Sequence, residues 1–431
     1  MSNVGIYGNA PWCPSGYGTQ ANYLGRELRK NGHQVAYMPF HGLQGSPLAY
    51  EGSTVYPGSS EDPWALDLLG AHYRHFGADL LITLMDAWVL DPAKLAGMNV
   101  AHWLPVDCEP LGAMDRKVLD AGGGRPVAMS RFGLRQLQDA GYDALYAPHS
   151  LPMDVWSPLT DRQAARESLG FGDRFIIAVN AANQDPFRKG YGEQLAAFAQ
   201  LARKHDDVLM LIHTRAETRN GTNLAALIAD LGLEKRVVIG DQYLISAGMI
   251  GEGQMVSWHG LADLLTNCSF GEGFGLPVLQ SQATGTPVVV TDFAAMSELC
   301  GAGWKVGGQR FWNRGHDAKW IAPDIGEIAA VYKLAYDGGA ARLRDQAREF
   351  ALAWDSAKVY AEHWAPVLRE LCPEATPVVS LPEKRRELAT ADPPVSDRLA
   401  AEIRDAIDAS ERGETEDLDA YLGAGGGAAD A

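Results

Sequence analysis

A glutamate set among glycines is the first feature of the chain that is able to do chemistry. Glu272 lies in the stretch GEGFGLP (271–277), whose glycines let the backbone approach a ligand closely. Pro277 is typical of a first helical turn, where its missing N–H costs nothing. The stretch predicts a loop and then a helix that begins near Leu276, and free N–H groups at such a helix start favour phosphate or a hydroxyl-rich sugar.

A pair of basic residues is the second such feature. Arg188 and Lys189 precede Gly190 in NQDPFRKGYG, between a predicted strand and a predicted helix. Adjacent basic residues are usually just solvated. Beside a helix start, however, a guanidinium and an ammonium supply the positive charge that a departing nucleotide diphosphate requires.

These residues need a scaffold of alternating strands and helices. NVGIYG (3–8) predicts a strand, followed by a loop, an amphipathic helix that ends at Gly32, and another strand. This is the first unit of an open parallel sheet, whose ligands bind beyond the carboxyl ends of the strands. Gly16 and Gly18 lie at that edge, although a purely conformational role for them stays open. Their spacing is not that of a dinucleotide fingerprint, which argues against a nicotinamide enzyme.

The alternation of predicted strands and helices continues along the chain. Apolar runs that predict further strands are DLLITLMD (79–86), NVAHWLP (99–105), PVAMS (126–130), FIIAVN (175–180), VLMLIHT (208–214), RVVIG (236–240) and TPVVV (286–290). The β-branched residues of the last run are typical of a strand buried on both faces.

The stretch GEGFGLPVLQSQATGTPVVVTDFAAMSEL resembles the donor-site signature of the retaining GT-B glycosyltransferases of family four. That signature has a Glu, seven residues and a second Glu; here the two positions are Glu272 and Gln280. The resemblance implies that Glu272 contacts the hydroxyls of the donor sugar and that Gln280 holds the nucleotide ribose. An amide still bonds a ribose diol, but without the charge assistance of a carboxylate. Further donor contacts are implied at Gly273, Phe274, Gly275 and Leu276.

The turn that carries Arg188 and Lys189 is also similar to the family, whose members place such a pair where it holds the donor diphosphate. Many relatives carry another Arg a few residues earlier, where this chain has Asn180 and Asn183. We therefore place Asn183 in the donor site and expect phosphate binding to depend more heavily on Arg188 and Lys189.

In the first half of the chain the resemblance points to the loops that face the cleft. Gly16 and Gly18 are expected to approach donor or acceptor there. Two side chains in HWLPVDCEPL are expected near the reacting sugar: His102 as a hydrogen-bond partner of a sugar hydroxyl and Asp107 as acceptor of a proton. A lone His beside Trp is more often a core residue, so this alternative stays open for His102.

The resemblance implies an α/β fold of the GT-B type, with two Rossmann-like doubly wound domains facing a central cleft. We assign residues 1–150 to an acceptor-side domain and 151–355 to a nucleotide-sugar donor domain. A helix at 356–372 is expected to cross back, and 373–431 forms a Pro-rich linker and an acidic tail with 14 acidic and 6 basic side chains. Such a tail is prone to disorder and suits interaction or homo-oligomerisation. An aromatic-rich stretch, 303–323, suits a lid, an acceptor wall or local packing.

Composition argues against several classes of protein. A net charge of −17 over 431 residues argues against a chain that wraps nucleic acid or lies on anionic lipid. The five scattered cysteines include no Cys-x-x-Cys pair, which favours a reduced compartment. No apolar window approaches the ~20 residues of a spanning helix. We expect a cytoplasmic protein without a metal, cofactor or integral membrane segment.

The resulting prediction is a metal-independent retaining enzyme, a hexosyltransferase, that moves a sugar from a UDP- or GDP-sugar to an acceptor hydroxyl. The acceptor stays open among a glycan, a lipid carrier, a small metabolite, a protein hydroxyl and a modified DNA base. The DNA alternative needs a local basic cluster from Arg116, Lys117, Arg125, Arg131 and Arg135. A second alternative is a non-catalytic nucleotide-sugar-binding protein, suggested by Gln280 and by the missing earlier Arg.

Overall fold

The apolar runs of the first 146 residues pair into one sheet in the computed structural model, which describes residues 1–372. Its strands are β1 (Asn3–Tyr7), β2 (Gln34–Tyr37), β3 (Leu48–Tyr50), β4 (Ser53–Val55), β5 (Leu80–Leu84), β6 (Val100–Leu104), β7 (Arg125–Ala128) and β8 (Leu145–Tyr146). Their order is β3-β4-β2-β1-β5-β6-β7-β8, and every pair is parallel except β3 with β4. We call residues 1–146 the N-terminal half.

A second parallel sheet follows. Its strands are β9 (Phe175–Asn180), β10 (Val208–His213), β11 (Val237–Ile239), β12 (Leu264–Asn267), β13 (Val288–Thr291) and β14 (Gly303–Val306). They lie in the order β11-β10-β9-β12-β13-β14. An antiparallel pair, β15 (Gly308–Asn313) and β16 (Ala318–Pro323), then forms a separate two-stranded ribbon. We call residues 175–352 the C-terminal half and 308–323 the ribbon.

Helices connect the strands and cover the sheets. They are α1 (Gly16–Lys30), α2 (Leu66–Phe76), α3 (Ala113–Asp120), α4 (Arg131–Asp139), α5 (Arg162–Ser168), α6 (Tyr191–Ala202), α7 (Leu224–Asp230), α8 (Gln242–Ser246), α9 (Glu252–Leu261), α10 (Leu276–Ala283), α11 (Ala294–Leu299), α12 (Ile325–Leu334), α13 (Arg344–Leu352), α14 (Ser356–Val359) and α15 (Ala365–Leu371). As predicted, α10 begins at Leu276, and Gly285 follows its end with a φ of 77°. None of the helices in the described part of the chain combines the length and apolar character that a membrane crossing requires.

The chain crosses between the halves twice, and the two crossings touch. Leu151 donates its N–H to the carbonyl of Trp354 at 3.0 Å, and Ser356 donates to the carbonyl of Leu151 at 3.0 Å. After the second crossing, Trp364 packs edge-on against Trp103 of β6 with 4.8 Å between ring centroids. The final helix therefore lies on the N-terminal half.

The largest apolar core runs through both halves. It includes Trp103 from the first sheet, Trp156 from the first crossing, Phe274 from the glycine-rich loop and Trp364. His149 is buried against Trp103 and Phe274, with ring centroids 4.5 and 4.9 Å away. His149 is therefore a packing residue where the chain crosses between the halves. The predicted linker and acidic tail, 373–431, lie outside the described residues.

Candidate active site

Two loops at the carboxyl ends of neighbouring strands carry the predicted donor-side residues. The loop after β9 contacts the loop after β12, because Phe270 donates its N–H to the carbonyl of Arg188 at 2.8 Å. Gly190, with a φ of 60°, lies so close to the carbonyl of Cys268 that a Cβ would clash with it. A glycine is therefore required for this approach.

Gln194 of α6 fastens the two loops together. Its buried side chain donates to the carbonyls of Lys189 and Gly190 at 2.7 and 3.1 Å. Its amide oxygen accepts hydrogen bonds from Thr266 and from the N–H of Cys268. Because all these groups are buried and paired, the turn that carries the basic pair is held in one position.

The basic pair meets the predicted glutamate. Lys189 Nζ lies 2.5 Å from Glu272 Oε1, with only 10% and 11% of the two side chains exposed. Arg188 lies 3.3 Å from the other carboxylate oxygen, and Ser269 donates its hydroxyl to Oε1 at 2.8 Å. The structure therefore brings together three of the predicted catalytic residues, although 83 positions separate Lys189 from Glu272.

The two cations of this cluster stabilise the ionised form of the carboxyl group between them. Burial disfavours an ionised Glu272, but Lys189 and Arg188 outweigh that effect and hold the pKa of the carboxyl below its ordinary value. The site therefore contains two cations and a carboxylate that partly neutralises them. An incoming diphosphate would meet cations that are already in position.

The N-terminal half contributes carboxylates to the same place. Asp107, in the loop after β6, lies 3.6 Å from Arg188 and accepts a hydrogen bond from the indole of Trp320 at 3.4 Å. Tyr17, in the first turn of α1, donates its hydroxyl to Asp86 at 3.5 Å. Asp107 thus faces the donor-side cations across the cleft.

Burial and crowding change the proton affinity of the acidic groups on this side. Burial, followed by the charge of Asp107, raises the pKa of Asp86. Burial, followed by the charges of Asp86 and Asp107, raises the pKa of Asp115 to about 7. The N-terminal wall therefore contains at least one carboxyl group that titrates near neutral pH.

The glycine-rich loop lies against the N-terminal half. A Cβ at Gly271 would clash with the carbonyl of Asp107, and one at Gly273 would clash with Pro105. The sequence predicts that these glycines make room for a ligand. In the structure their absent side chains make room for residues 105–107, so these glycines allow the halves to close.

The other residues predicted around this loop have different surroundings. Gly275 has a φ of 96° and caps α10, as its position before the helix predicts. Leu276 is buried in the shared core, and Phe274 packs between His149 and Trp354. Phe274 is therefore a core residue, which corrects the expectation of a donor contact from its side chain.

Gln280 keeps the potential for a ligand contact. It lies in α10 with 8% of its surface exposed, and within residues 1–372 its side-chain amide makes no hydrogen bond. The amide is therefore free to bond a ligand, as the ribose role requires.

Asn183 differs from its predicted role. Its amide nitrogen donates to the carbonyls of Arg215 and Thr222, and its oxygen accepts from the N–H of Thr222. With 2% of its surface exposed, the side chain pins the 215–222 loop rather than facing a phosphate.

The two glycines near the start of α1 have separate surroundings. A Cβ at Gly18 would clash with the carbonyl of Cys13, whereas one at Gly16 would meet open space. Ser15 caps the helix by accepting from the N–H of Gly18 at 3.1 Å. Gly18 is thus required by the turn itself, and Gly16 is the one whose surroundings leave space for a ligand.

His102 lies inside the first sheet rather than in the cluster. It points from β6 toward Thr83, whose hydroxyl lies 2.9 Å from Nδ1, and 2% of the residue is exposed. Burial lowers its pKa to about 4. The ring is a neutral core group in this arrangement, which corrects the expectation that it contacts a sugar hydroxyl.

Several residues of the cluster were not predicted as site residues. These residues come after β1, β12 and β9, respectively, but no sequence motif identifies them as site residues: Tyr17, Ser269 and Gln194. Asp86 stands out in the sequence as an acidic residue at the end of a predicted strand, but no role is predicted for it. Asp115 lies within α3, where a single acidic residue is ordinary.

One group of side chains near the cleft has the residue types that bind cations. In the described part of the chain, donor atoms of Asp107, Cys108 and His316 lie within 4.8 Å of one another. Asp107 already contacts Arg188 and Trp320. The absence of a metal stays a prediction.

The basic residues required by the DNA alternative are partly engaged elsewhere. Arg125 pairs with Asp143 and Glu370 at 2.6 and 2.9 Å, and the guanidinium of Arg131 lies 3.8 Å from the centre of the Tyr146 ring. These contacts leave fewer free cations for a phosphate backbone.

An apolar groove of about 680 Å³ lies on the C-terminal half, away from the ion-pair cluster. Its lining includes Leu169, Phe171, Leu211, Val238 and Trp258, together with Gly240 at the end of β11, and contains no charged side chain. Such a lining does not suit a diphosphate.

Part of the chain matches a known protein family. Residues 175–329, which carry the basic pair, the glycine-rich loop and the ribbon, match the family described as "Glycosyl transferases group 1". Two curated relatives align with part of the chain. A D-inositol 3-phosphate glycosyltransferase of Streptomyces scabiei is 27% identical over 230 residues, 51% of this chain and 47% of the relative. An MMP alpha-(1->4)-mannosyltransferase of Mycolicibacterium hassiacum is 30% identical over 184 residues, 42% of this chain and 37% of the relative. The chain thus spans less than half the length of these relatives.

Solved structures are similar over most of the chain. Sucrose-phosphate synthase from Thermosynechococcus elongatus has a TM-score of 0.68 at 16% identity, covering 87% of this chain and 100% of that one. Anabaena Alr3699/HepE, solved in complex with UDP-glucose, has a TM-score of 0.62 at 14% identity and covers 86% of this chain and 100% of that one. At these identities the likeness concerns the fold.

Proposed function

We propose that this chain is a group 1 glycosyltransferase of the GT-B fold and, from that premise, that it moves a hexosyl group from a nucleotide-diphosphate sugar to an acceptor hydroxyl. The premise rests on the matched family at 175–329 and on the two-sheet architecture. The donor, the acceptor, the stereochemical course and the independence from metal belong to the proposal.

The observation that carries the proposal is the buried contact of Arg188 and Lys189 with Glu272. Two cations beside a glycine-rich loop suit a diphosphate, and a carboxylate beside them suits the hydroxyls of a sugar. Glu272 occupies the cations when no donor is bound. A donor diphosphate replaces that carboxylate as their partner and leaves Glu272 to accept hydrogen bonds from the sugar.

The mechanism we infer uses side chains of both halves. Arg188, Lys189 and the start of α10 stabilise the negative charge on the departing diphosphate. Glu272 orients the sugar while an oxocarbenium-like state forms, and the acceptor attacks from the side of the leaving group, which retains the anomeric configuration. Asp107 receives the proton of the acceptor hydroxyl, either directly or after it passes to a phosphate oxygen.

The donor nucleotide is UDP or GDP in this proposal. UDP is the first choice because Anabaena Alr3699/HepE, a protein of similar fold, was solved with UDP-glucose. Gln280, whose amide is free, takes the ribose diol with neutral hydrogen bonds. We expect these to be weaker than the charge-assisted bonds of a carboxylate.

The test is a mass-spectrometric donor screen with the full chain. The protein is incubated with UDP-, GDP- and ADP-sugars without and with Mg²⁺, and released nucleotide and bound donor are quantified. Glu272→Ala and Lys189→Ala each remove one partner of the buried pair. Lys333→Ala is the matched control, because Lys333 lies in the same half with 46% of its side chain exposed and pairs only with Asp337 among the described acidic groups.

Release of one nucleotide, lost in both site variants and kept in the control, is the expected result. Turnover that requires Mg²⁺ would contradict the metal-independent mechanism. Donor binding without release under every acceptor condition favours the non-catalytic alternative, and no binding of any donor refutes the proposal. Retention is read separately, from the anomeric configuration of the product by NMR.

A further inference from the structure

The ribbon belongs to the C-terminal half by sequence but contacts the N-terminal half. Lys319 donates its N–H to the carbonyl of Glu109 at 2.7 Å, and Glu109 donates back to the carbonyl of Lys319 at 3.3 Å. Ala113, at the start of α3, donates to the carbonyl of His316 at 3.0 Å. Three backbone hydrogen bonds therefore tie the ribbon to the segment that follows Asp107.

The same edge of β16 is also tied to the donor-side loop. Ile321 donates its N–H to the carbonyl of Phe270 at 3.2 Å, two residues before Glu272. The ribbon thus lies between the loop that carries Glu272 and the loop that carries Asp107.

Lys319 and Trp320, neighbours on β16, point to opposite faces of the ribbon, as a strand requires. Trp320 points inward with 4% of its surface exposed and joins the apolar core of the N-terminal half, together with Ala318. Trp312, on the other strand, is 51% exposed. The two tryptophans therefore occupy opposite environments on one small element.

Trp320 makes the contact that matters for the site. Its indole N–H donates to Asp107 Oδ1 at 3.4 Å, while Arg188 lies 3.6 Å from Oδ2. The ring of His316 lies against the indole, with 5.0 Å between centroids. Asp107 is thus held between one donor from the ribbon and one cation from the basic pair.

We propose that the ribbon is a clasp between the halves and that Trp320 is the positioning residue for Asp107, setting this carboxylate against the acceptor hydroxyl. The role in transfer rests on the function proposed above; the clasp itself does not. A buried indole restricts the carboxylate to one orientation, which is the condition for proton transfer at a fixed distance.

The test compares Trp320→Phe with Trp312→Phe in the full chain. Phenylalanine keeps an aromatic ring at position 320 but removes the N–H that binds Asp107. The substitution at 312 changes the same residue type on the exposed face. Circular dichroism verifies that both variants fold, and Asp107→Asn serves as a second variant because its amide oxygen still accepts from the indole.

Two measurements separate the clasp from the reaction. Hydrogen–deuterium exchange of the 105–113 segment reports the clasp without any substrate. We expect Trp320→Phe to raise its exchange about tenfold, as loss of a hydrogen bond to a charged group predicts, and Trp312→Phe to leave it unchanged. Asp107→Asn keeps the acceptor but loses its charge, so it should raise the exchange less than Trp320→Phe does. Steady-state transfer, once a donor and acceptor are known, gives kcat and the donor KM.

In transfer we expect Trp320→Phe to lower kcat about tenfold to a hundredfold with the donor KM unchanged within about twofold. Equal behaviour of the two tryptophan variants in both measurements overturns the proposal. Faster exchange with unchanged kcat overturns the positioning role. If the wild type turns over no donor, the proposed function fails, and the exchange data still decide whether the clasp exists.

Discussion

The buried pair of Lys189 and Glu272 gives the sharpest test of the site without any substrate. In Glu272→Gln, Lys189 and Arg188 lose the carboxylate that neutralises them. Breaking a buried ion pair by removing one partner costs about 3–5 kcal/mol. The amide oxygen of Gln still accepts from Lys189, and Arg188 keeps Asp107 at 3.6 Å. We therefore expect a loss near the lower end, about 3 kcal/mol of unfolding free energy.

Urea unfolding of the full chain at pH 7 measures this loss. With an m-value of about 3 kcal/mol/M, the midpoint falls by about 1 M. Glu109→Gln is the matched control, because it removes an ion pair with Arg310 whose side chains are 39% and 56% exposed. Such an exposed pair contributes about 0–1 kcal/mol.

Added UDP extends the same experiment. A diphosphate supplies the negative charge that Glu272→Gln removes, so UDP should raise the midpoint more in the variant than in the wild type. If Glu272→Gln and Glu109→Gln are equally stable, the buried pair does not contribute as its geometry indicates. If UDP stabilises neither protein, the cations are not a diphosphate site.

Three further outcomes are expected. Gly273→Ala adds a Cβ that clashes with Pro105 and should separate the halves, which small-angle X-ray scattering detects as a larger radius of gyration; an unchanged radius would contradict the closed contact. Asp115 has a pKa of about 7 against an ordinary 3.8, so its contribution to stability falls as pH rises from about 4 to 7. Asp115→Asn should therefore be more stable than the wild type at pH 8, by at most about 4 kcal/mol, and equal to it near pH 4, as urea unfolding at both values will show. Phe274→Ala removes a ring that is 3% exposed and should cost about 3–4 kcal/mol of unfolding free energy, whereas a loss below about 1 kcal/mol would argue against its place in the core.

Much of the donor side was predictable because each of its two loops carries a recognisable local pattern. Arg188 and Lys189 follow one strand and Glu272 follows another, and loops at the carboxyl ends of adjacent parallel strands must lie close together. The strand runs themselves indicate the two sheets. The start of α10 follows from Pro277 and the glycine before Leu276.

The remaining details depend on side-chain direction and on contacts between distant segments. A loop sequence does not state where Asn183 or Phe274 points; the first is held by backbone carbonyls, and the second by aromatic rings from two other segments. Side chains alternate between the two faces of β6, and His102 lies on a buried face beside Thr83. The contact of Trp320 with Asp107 joins positions 213 residues apart, so no local sequence pattern predicts it.

The paired crossings set how the two halves can move. Leu151 is hydrogen-bonded to Trp354 and Ser356, so two chain segments lie side by side where the halves join. Two connections that lie side by side resist most relative motions of the halves. Rotation about the line through the two crossings is the motion that they restrict least. A swing about that axis displaces most the parts of the cleft that lie farthest from it, and it leaves both halves connected even when one crossing is cut.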